Sequence, residues 1–196
     1  IGHLRYGTQG KNSVKYCHPF IKSDINPSRN LAMAGNFNLV NTEELYNQLD
    51  VEPKESMRNS DLGAMIDTMH HFLCDEDEKN PENPDIVTML KKASERFDGG
   101  FVCGGLVGNG DSYVMRDKNG IRPAYYYADD EVVVVASERP AIMTAFNVKI
   151  EDVKEIPAGN AIIVKADGSY DLHQILEPGE KLACSFERIY FSRGSD

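Results

Sequence analysis

The texture of this chain changes once, at Gly99-Gly100, and that change limits the fold more than any single residue does. Before it, apolar residues recur at helical spacing. Leu62, Met65, Ile66, Met69, Phe72 and Leu73 make one face of a long helix that Ser60 caps, and Ile86, Met89, Leu90 and Ala93 make the inward face of another over 85–97, stopped by Gly99-Gly100. After it, short β-prone runs follow one another at 101–107, 112–116, 124–127, 132–136, 161–165 and 169–174. Asn109-Gly110-Asp111, Asp129-Asp130 and Asp167-Gly168 read as the hairpin turns between them, and 140–146 as a short helix. Helices followed by a block of mostly antiparallel strands predict an α+β fold with layered sheets, not a doubly wound nucleotide fold. The chain has neither a Walker loop nor a G-x-G-x-x-G, and the Gly-rich stretch 99–110 reads as a strand with tight turns.

The first forty residues are loop-rich. Residues 31–34 read as a short buried strand running into a Gly35-Asn36 turn, and Thr42 as the N-cap of a helix through Gln48. The 196 residues suffice for one large domain or two small ones with a real core. A net charge of −10 argues against a nucleic-acid surface, and no run is long enough to span a bilayer. The acid is concentrated in 75–85, read as a solvated loop. Cys17, Cys74, Cys103 and Cys184 form no C-x-x-C pair, so we expect free thiols, no complete metal site within the chain, and a cytoplasmic protein.

Arg5, Thr8, Asn36 and Asp61 are residue types that suit a free α-amino acid. A guanidinium and a hydroxyl fit an α-carboxylate, a carboxylate fits an α-ammonium, and an amide with a backbone N–H fits an oxyanion developing at an attacked acyl group. Each has a plainer reading: Arg5 as a surface or bridging residue, Asn36 as a turn residue, Asp61 as a first-turn acid favoured by the helix dipole. No nucleophile stands among them.

These residues sit in contexts that resemble class II glutamine amidotransferase domains, and within them the amidophosphoribosyltransferases. Gly2-His3-Leu4-Arg5-Tyr6-Gly7-Thr8 resembles G-H-x-R-Y-x-T, and Ala34-Gly35-Asn36-Phe37-Asn38-Leu39-Val40-Asn41 resembles A-H-N-G-x-L-x-N. Asn59-Ser60-Asp61 is similar to a T-S-D helix start, Arg116-Asp117-Lys118-Asn119-Gly120-Ile121-Arg122-Pro123 to R-D-x-x-G-I-R-P, Ala136-Ser137-Glu138 to A-S-E, and Ile156-Pro157-Ala158-Gly159 to x-x-P-G. The stretch from Cys184 through Glu187 to Arg193 is similar to C-x-x-E-Y-x-Y-F-A-R, which is particular to the amidophosphoribosyltransferase branch.

The resemblance implies an N-terminal-nucleophile hydrolase fold, an αββα four-layer sandwich, here without its first strands. It implies one domain over 1–196, hydrolysing glutamine to supply ammonia to a phosphoribosyltransferase domain in purine biosynthesis. By position, Arg5 and Thr8 would bind the α-carboxylate, Asp61 the α-ammonium, and Asn36 with the Phe37 N–H the oxyanion. The family's nucleophile, a cysteine at the mature N-terminus, belongs upstream of Ile1, so we expect the chain to be inactive alone. Phe37 replaces the family's Gly, so its ring is expected to crowd the pocket and any positive φ there to be costly. Gly35 stands where the family has His, which would displace the Gly by one position.

The partners implied are glutamine, the N-terminal segment and transferase domain of the same protein, and further copies in a homo-oligomer, with neither nucleic acid nor membrane. No cofactor is expected in this chain. Mg2+ and an iron–sulfur cluster belong to the longer parent, and Cys184 is read as a plain buried thiol, with cluster ligation the alternative. A non-catalytic amidotransferase-like binding domain is the second reading. The 184–193 stretch argues against sugar-phosphate aminotransferring synthases and asparagine synthetases.

Overall fold

The computed structural model describes residues 1–4, 14–49 and 60–191. Within these, six strands form one sheet in the order β1-β2-β3-β4-β8-β9 and three form a second in the order β6-β5-β7. The strands of the large sheet are β1 (Phe20–Lys22), β2 (Leu31–Leu39), β3 (Gly99–Val107), β4 (Ser112–Arg116), β8 (Asn160–Val164) and β9 (Tyr170–Gln174). The small sheet holds β5 (Tyr125–Ala128), β6 (Val133–Ala136) and β7 (Lys154–Glu155). The helices are α1 (Thr42–Leu49), α2 (Asp61–Lys79), α3 (Ile86–Ser94) and α4 (Arg139–Phe146).

Side-chain alternation along the strands sorts these elements into four layers. Leu31, Met33, Phe101, Cys103, Tyr113, Met115, Ala161 and Ile163 face the helices and join one core with Leu62, Met65, Ile66, Met69 and Leu90. Val102, Val114 and Ile162 face the other way and meet Ala124, Tyr126 and Ile156 of the small sheet and its flanks. On the outer face of that sheet, Arg139 of α4 lies over the Tyr125 ring at 4.5 Å, and Phe146 lies 6.3 Å from Tyr127. The order helix, sheet, sheet, helix is the expected αββα arrangement. Tyr113, at the middle of the first core, donates its hydroxyl to Met69 Sδ at 3.0 Å, and its ring occupies the space a Cβ at residue 105 would need, which is why Gly105 pairs with it.

Several local expectations are corrected. There is no turn at Gly35-Asn36: β2 runs on to Leu39 because β3 pairs with it over its whole length. Thr42 lies inside α1, and the carbonyl of Asn41 accepts the first helical bond from Leu45 N. Ser60 sits at the N-cap of α2 but makes no side-chain cap bond. The helix predicted over 85–97 ends at Ser94, and Gly99 opens β3 with φ 140°. Asp85, read as the first helical residue, is the N-cap of α3 and accepts from Thr88 N at 3.1 Å.

The acidic run is the largest departure. Residues 75–79 are the last turns of α2, and Glu76 and Asp77 are buried. Asp77 accepts from Ser28 Oγ, Asn26 Nδ2, Arg29 Nε and Glu82 N, fastening the loop between β1 and β2 to the end of α2. Glu76 takes Lys79 at 2.6 Å and Lys92 of α3 at 2.7 Å. The helix turns two neighbouring acids of the run, Glu76 and Asp77, inward, which composition does not reveal.

Burial pushes the Asp77 carboxyl up, but the hydrogen bonds from Arg29, Ser28 and Glu82 outweigh it and hold the group below the usual carboxylate range. A depressed folded value means its stabilisation is present above the unfolded pKa and is lost as pH falls through the folded one. Asp77→Ala should therefore cost about 3 kcal/mol in urea unfolding at neutral pH, since it strands buried donors. The difference from wild type should shrink below about pH 4. An unchanged midpoint at neutral pH would refute the role.

Candidate functional site

Strand parity fixes the geometry around Asn36. Phe101 uses both main-chain groups on the β4 side: its carbonyl accepts from Asp117 N at 2.9 Å, and its N–H donates to Asp117 Oδ2 at 3.2 Å. Its cross-strand partner Phe37 therefore occupies a non-hydrogen-bonded position, and the Phe37 N–H points away from β3. β1 pairs with β2 only through Leu31, Ala32 and Met33, so the rest of that edge is not covered by it. Three N–H groups of β2 face it in succession. Gly35 N lies 3.4 Å from His18 Nδ1, and Leu39 N donates to Asp61 Oδ2 at 3.0 Å. Phe37 N lies between them with no acceptor among the described residues.

The same parity separates Phe37 from Asn36. The Phe37 side chain is half-buried and packs against the core on the helix side, with its ring 5.7 Å from that of His18. Asn36 is exposed on the opposite face. The Phe37 ring thus lies on the other side of the strand from the Asn36 side chain, and its φ is not positive. Its Cε1 sits 2.5 Å from where a Cβ on Gly35 would be. Residues 35 and 37 share a face, so a small residue at 35 leaves room for a large one at 37. Sequence reading had both residues and missed that they are neighbours.

Asp61 opens α2 beside this edge. Burial raises its carboxyl above the ordinary value, and the bond from Leu39 N partly opposes that. Burial also raises the nearby Tyr46 hydroxyl, with the charges of Asp67 and Asp61 adding to the effect. Arg5 and Thr8, the expected carboxylate ligands, lie outside the described residues. Asn59 does as well.

Asn36 is held by residues of two other sequence motifs, whose meeting no local pattern shows. Its Nδ2 donates to Glu187 Oε1 at 3.2 Å, and the same oxygen pairs with Arg122 at 2.5 Å. Glu187 starts a one-turn π-helix, Glu187–Phe191, near the chain's end. Arg122 is brought there by a rigid loop. Buried Asp117 accepts from the N–H groups of Asn119, Ile121 and Arg122, while buried Arg116 donates to the carbonyls of Gly120, Arg122 and Ile156 and pairs with Glu155. Gly120 turns there with φ 62°, a conformation costly for residues with a Cβ. The Arg-Asp pair of the sequence motif is thus a scaffold for Arg122. An Asn amide has two hydrogens, so Glu187 can orient it with one and leave the other.

Two further features lie apart. Cys184 is half-buried and belongs to no cluster of metal-binding side chains among the described residues, so these supply one ligand at that position. A cleft of about 250 Å3 between the end of α3 and the 176–182 segment is lined by Phe97, Phe101, Ile121, Leu176 and Leu182, and by neither Asn36 nor Asp61. Among the described residues no helix is long and apolar enough to cross a membrane.

Comparison with known proteins gives the following. Residues 16–144 match the model of the glutamine amidotransferase domain. The amidophosphoribosyltransferases of Archaeoglobus fulgidus and Pasteurella multocida are each 30% identical over 98% of this chain. The chain spans 39% and 38% of those relatives' lengths. Among solved structures, glutamine phosphoribosylpyrophosphate amidotransferase from B. subtilis, complexed with ADP and GMP, superposes with a TM-score of 0.71 at 23% identity, over 97% of this chain and 38% of that one. A structure titled as the allosteric regulatory enzyme of purine biosynthesis gives 0.78 at 24% identity, with the same coverage. At these identities the superpositions carry the fold.

Two outcomes follow from the geometry. Phe37→Gly should destabilise the chain by about 1–3 kcal/mol, less than a fully buried Phe would, without opening space beside the Asn36 side chain. A neutral effect on stability would place the ring outside the core. Glu187→Ala should cost about 1–3 kcal/mol in thermal unfolding, by leaving the largely buried Arg122 guanidinium without its carboxylate, whereas Glu187→Gln should recover part of the loss. Equal melting of Glu187→Ala and wild type would mean the terminal turn is not docked.

Proposed function

This chain belongs to the glutamine amidotransferase domain family, and on that footing we propose that it is the glutamine-hydrolysing part of an amidophosphoribosyltransferase, supplying ammonia for phosphoribosylamine formation in purine biosynthesis. The observation that carries the reading is the edge of β2, where the Phe37 N–H and Asp61 lie side by side with the Asn36 amide adjoining. Phe37 and Leu39 are two strand residues apart, roughly 7 Å. An extended glutamine spans roughly 5 Å from its ammonium nitrogen to its amide carbon. Asp61 therefore suits the ammonium at one end, and Asn36 Nδ2 with the Phe37 N–H suits an oxyanion at the other. Arg5 and Thr8 are assigned to the α-carboxylate from the motif alone.

The chemistry is acyl transfer through a thiol. A thiolate attacks the carboxamide carbon, and the carbonyl π electrons move onto oxygen, where Asn36 and the Phe37 N–H stabilise the charge. The α-amine of the attacking residue, which took the thiol's proton, returns it to the amide nitrogen as collapse breaks the C–N bond and expels ammonia. Water then cleaves the thioester to glutamate. The nucleophile assigned by the family resemblance is an N-terminal cysteine, a role that internal Cys17, Cys74, Cys103 and Cys184 do not fill, having no free α-amine. This part uses no cofactor in our reading. Mg2+ and any iron–sulfur cluster belong to the transferase half of a longer, cytoplasmic, homo-oligomeric protein.

A second reading, a domain that binds an amino acid without turning it over, is favoured by one observation: the Asn36 amide is engaged by the Glu187 carboxylate, whose charge opposes an adjacent oxyanion.

The test uses the full-length protein. Arg5→Ala should raise KM for glutamine by about 30- to 1000-fold, the loss of a charge-assisted pair of about 2–4 kcal/mol, while synthesis from free ammonia persists. Asp61→Asn should do likewise. In wild type, glutamine binding should weaken as pH falls through the raised Asp61 value, because the ionised carboxylate is the form that pairs with an ammonium. A parallel fall of glutamine- and ammonia-dependent activity would make both residues structural. Glutamine binding with no glutaminase activity would select the second reading.

A further inference from the structure

Away from this edge, Asp24, His70 and Cys74 bring one ligand atom each to within 4.8 Å of one another. We propose that they form a binding site for a divalent transition-metal ion of the zinc class, one the glutaminase reading does not use. His70 and Cys74 lie four residues apart on α2 and so share a face, and Asp24 comes from the loop that follows β1. Cys74 Sγ lies 3.8 Å from His70 Nδ1 and 3.9 Å from Nε2. A tetrahedral zinc ion with ordinary Zn–S and Zn–N bonds sets sulfur and nitrogen roughly 3.6 Å apart, so the pair is close to the needed separation before any metal arrives. Rotation of the ring about Cβ–Cγ aims one nitrogen at the ion.

The surroundings supply the outer shell such sites need. Asp24 Oδ1 accepts from Asn26 N at 2.9 Å, which orients the carboxylate, and Asp24 N donates to Asn30 Oδ1. The neighbouring cations are neutralised: Lys22 pairs with Asp67, and Arg29 with Asp77 and Glu78. What remains is the charge of Asp24 and, on binding, of the Cys74 thiolate, whose proton leaves to solvent. Sulfur, imidazole and one carboxylate select zinc or cobalt over magnesium or calcium. The fourth position is left to water or an exogenous ligand. The ion would clip the loop beyond β1 to the middle of α2.

The test needs no activity. The purified, reduced chain is titrated with Co2+ as a spectroscopic probe and then with Zn2+. We expect one equivalent of Co2+ to give a thiolate-to-cobalt charge-transfer band that Zn2+ abolishes, and Zn2+ to raise the melting temperature. Cys74→Ser should lose the band and weaken Zn2+ binding by more than about 100-fold, beyond what outer-shell changes cause. Cys17→Ser should change neither. Alkylation of wild type, mapped by mass spectrometry, guards against a misfolded variant: Zn2+ should protect Cys74 and leave exposed Cys17 reactive. Absence of the band in wild type, its persistence in Cys74→Ser, or equal alkylation of Cys74 with and without Zn2+ would each overturn the proposal.

Discussion

The pairing of β2 with β3 is the constraint on which the rest of this molecule depends. It joins two nine-residue strands of the larger sheet, and its parity settles which way Asn36 and Phe37 face. Because Phe101 spends its main-chain groups on Asp117, Phe37 must turn its own outward. Because side chains alternate, the Phe37 ring goes to the helices and Asn36 to the other face. A shift of one residue would exchange them and bury an amide in an apolar core.

Around that pairing the buried charges are scaffolding. Arg116 and Asp117 satisfy the main chain of one loop and so deliver Arg122 to Glu187. Asp77 does the same for the loop between β1 and β2, and Glu76 ties α2 to α3. None of these groups reaches the Phe37–Asp61 edge of β2. Arg116, Asp117 and Asp77 hold irregular backbone that would otherwise be buried without partners. Glu187 is different, since it connects the last described turn to the Asn36 amide and makes the orientation of that amide depend on where the 187–191 segment sits.

Much of the fold was legible because it follows from local pattern. The apolar stripe from Leu62 to Leu73, the hairpin turns at Gly110 and Gly168, and the strands between them are recoverable from periodicity and turn chemistry. Misreadings occurred where a distant partner overrode a local signal. Gly35-Asn36 looked like a turn until β3 was beside it. The acidic run looked like a solvated loop until α2 turned Glu76 and Asp77 towards Lys92 and Arg29. Thr42 looked like a cap, but Asn41 preceded it and also bridges to Arg96 and Asp98.

The sequence by itself determined the family and the identity of the candidate site residues, because a motif is a matter of residue type and spacing along the chain. It also determined the α+β order of elements, since helical and strand periods are local properties. Only the tertiary structure decided that Phe37 and Asn36 part to opposite faces, that Glu187 meets Asn36 across 151 residues of chain, and that Asp24 joins His70 and Cys74. Those facts rest on register and on contacts between segments far apart in the chain, and no periodicity within a single segment encodes them.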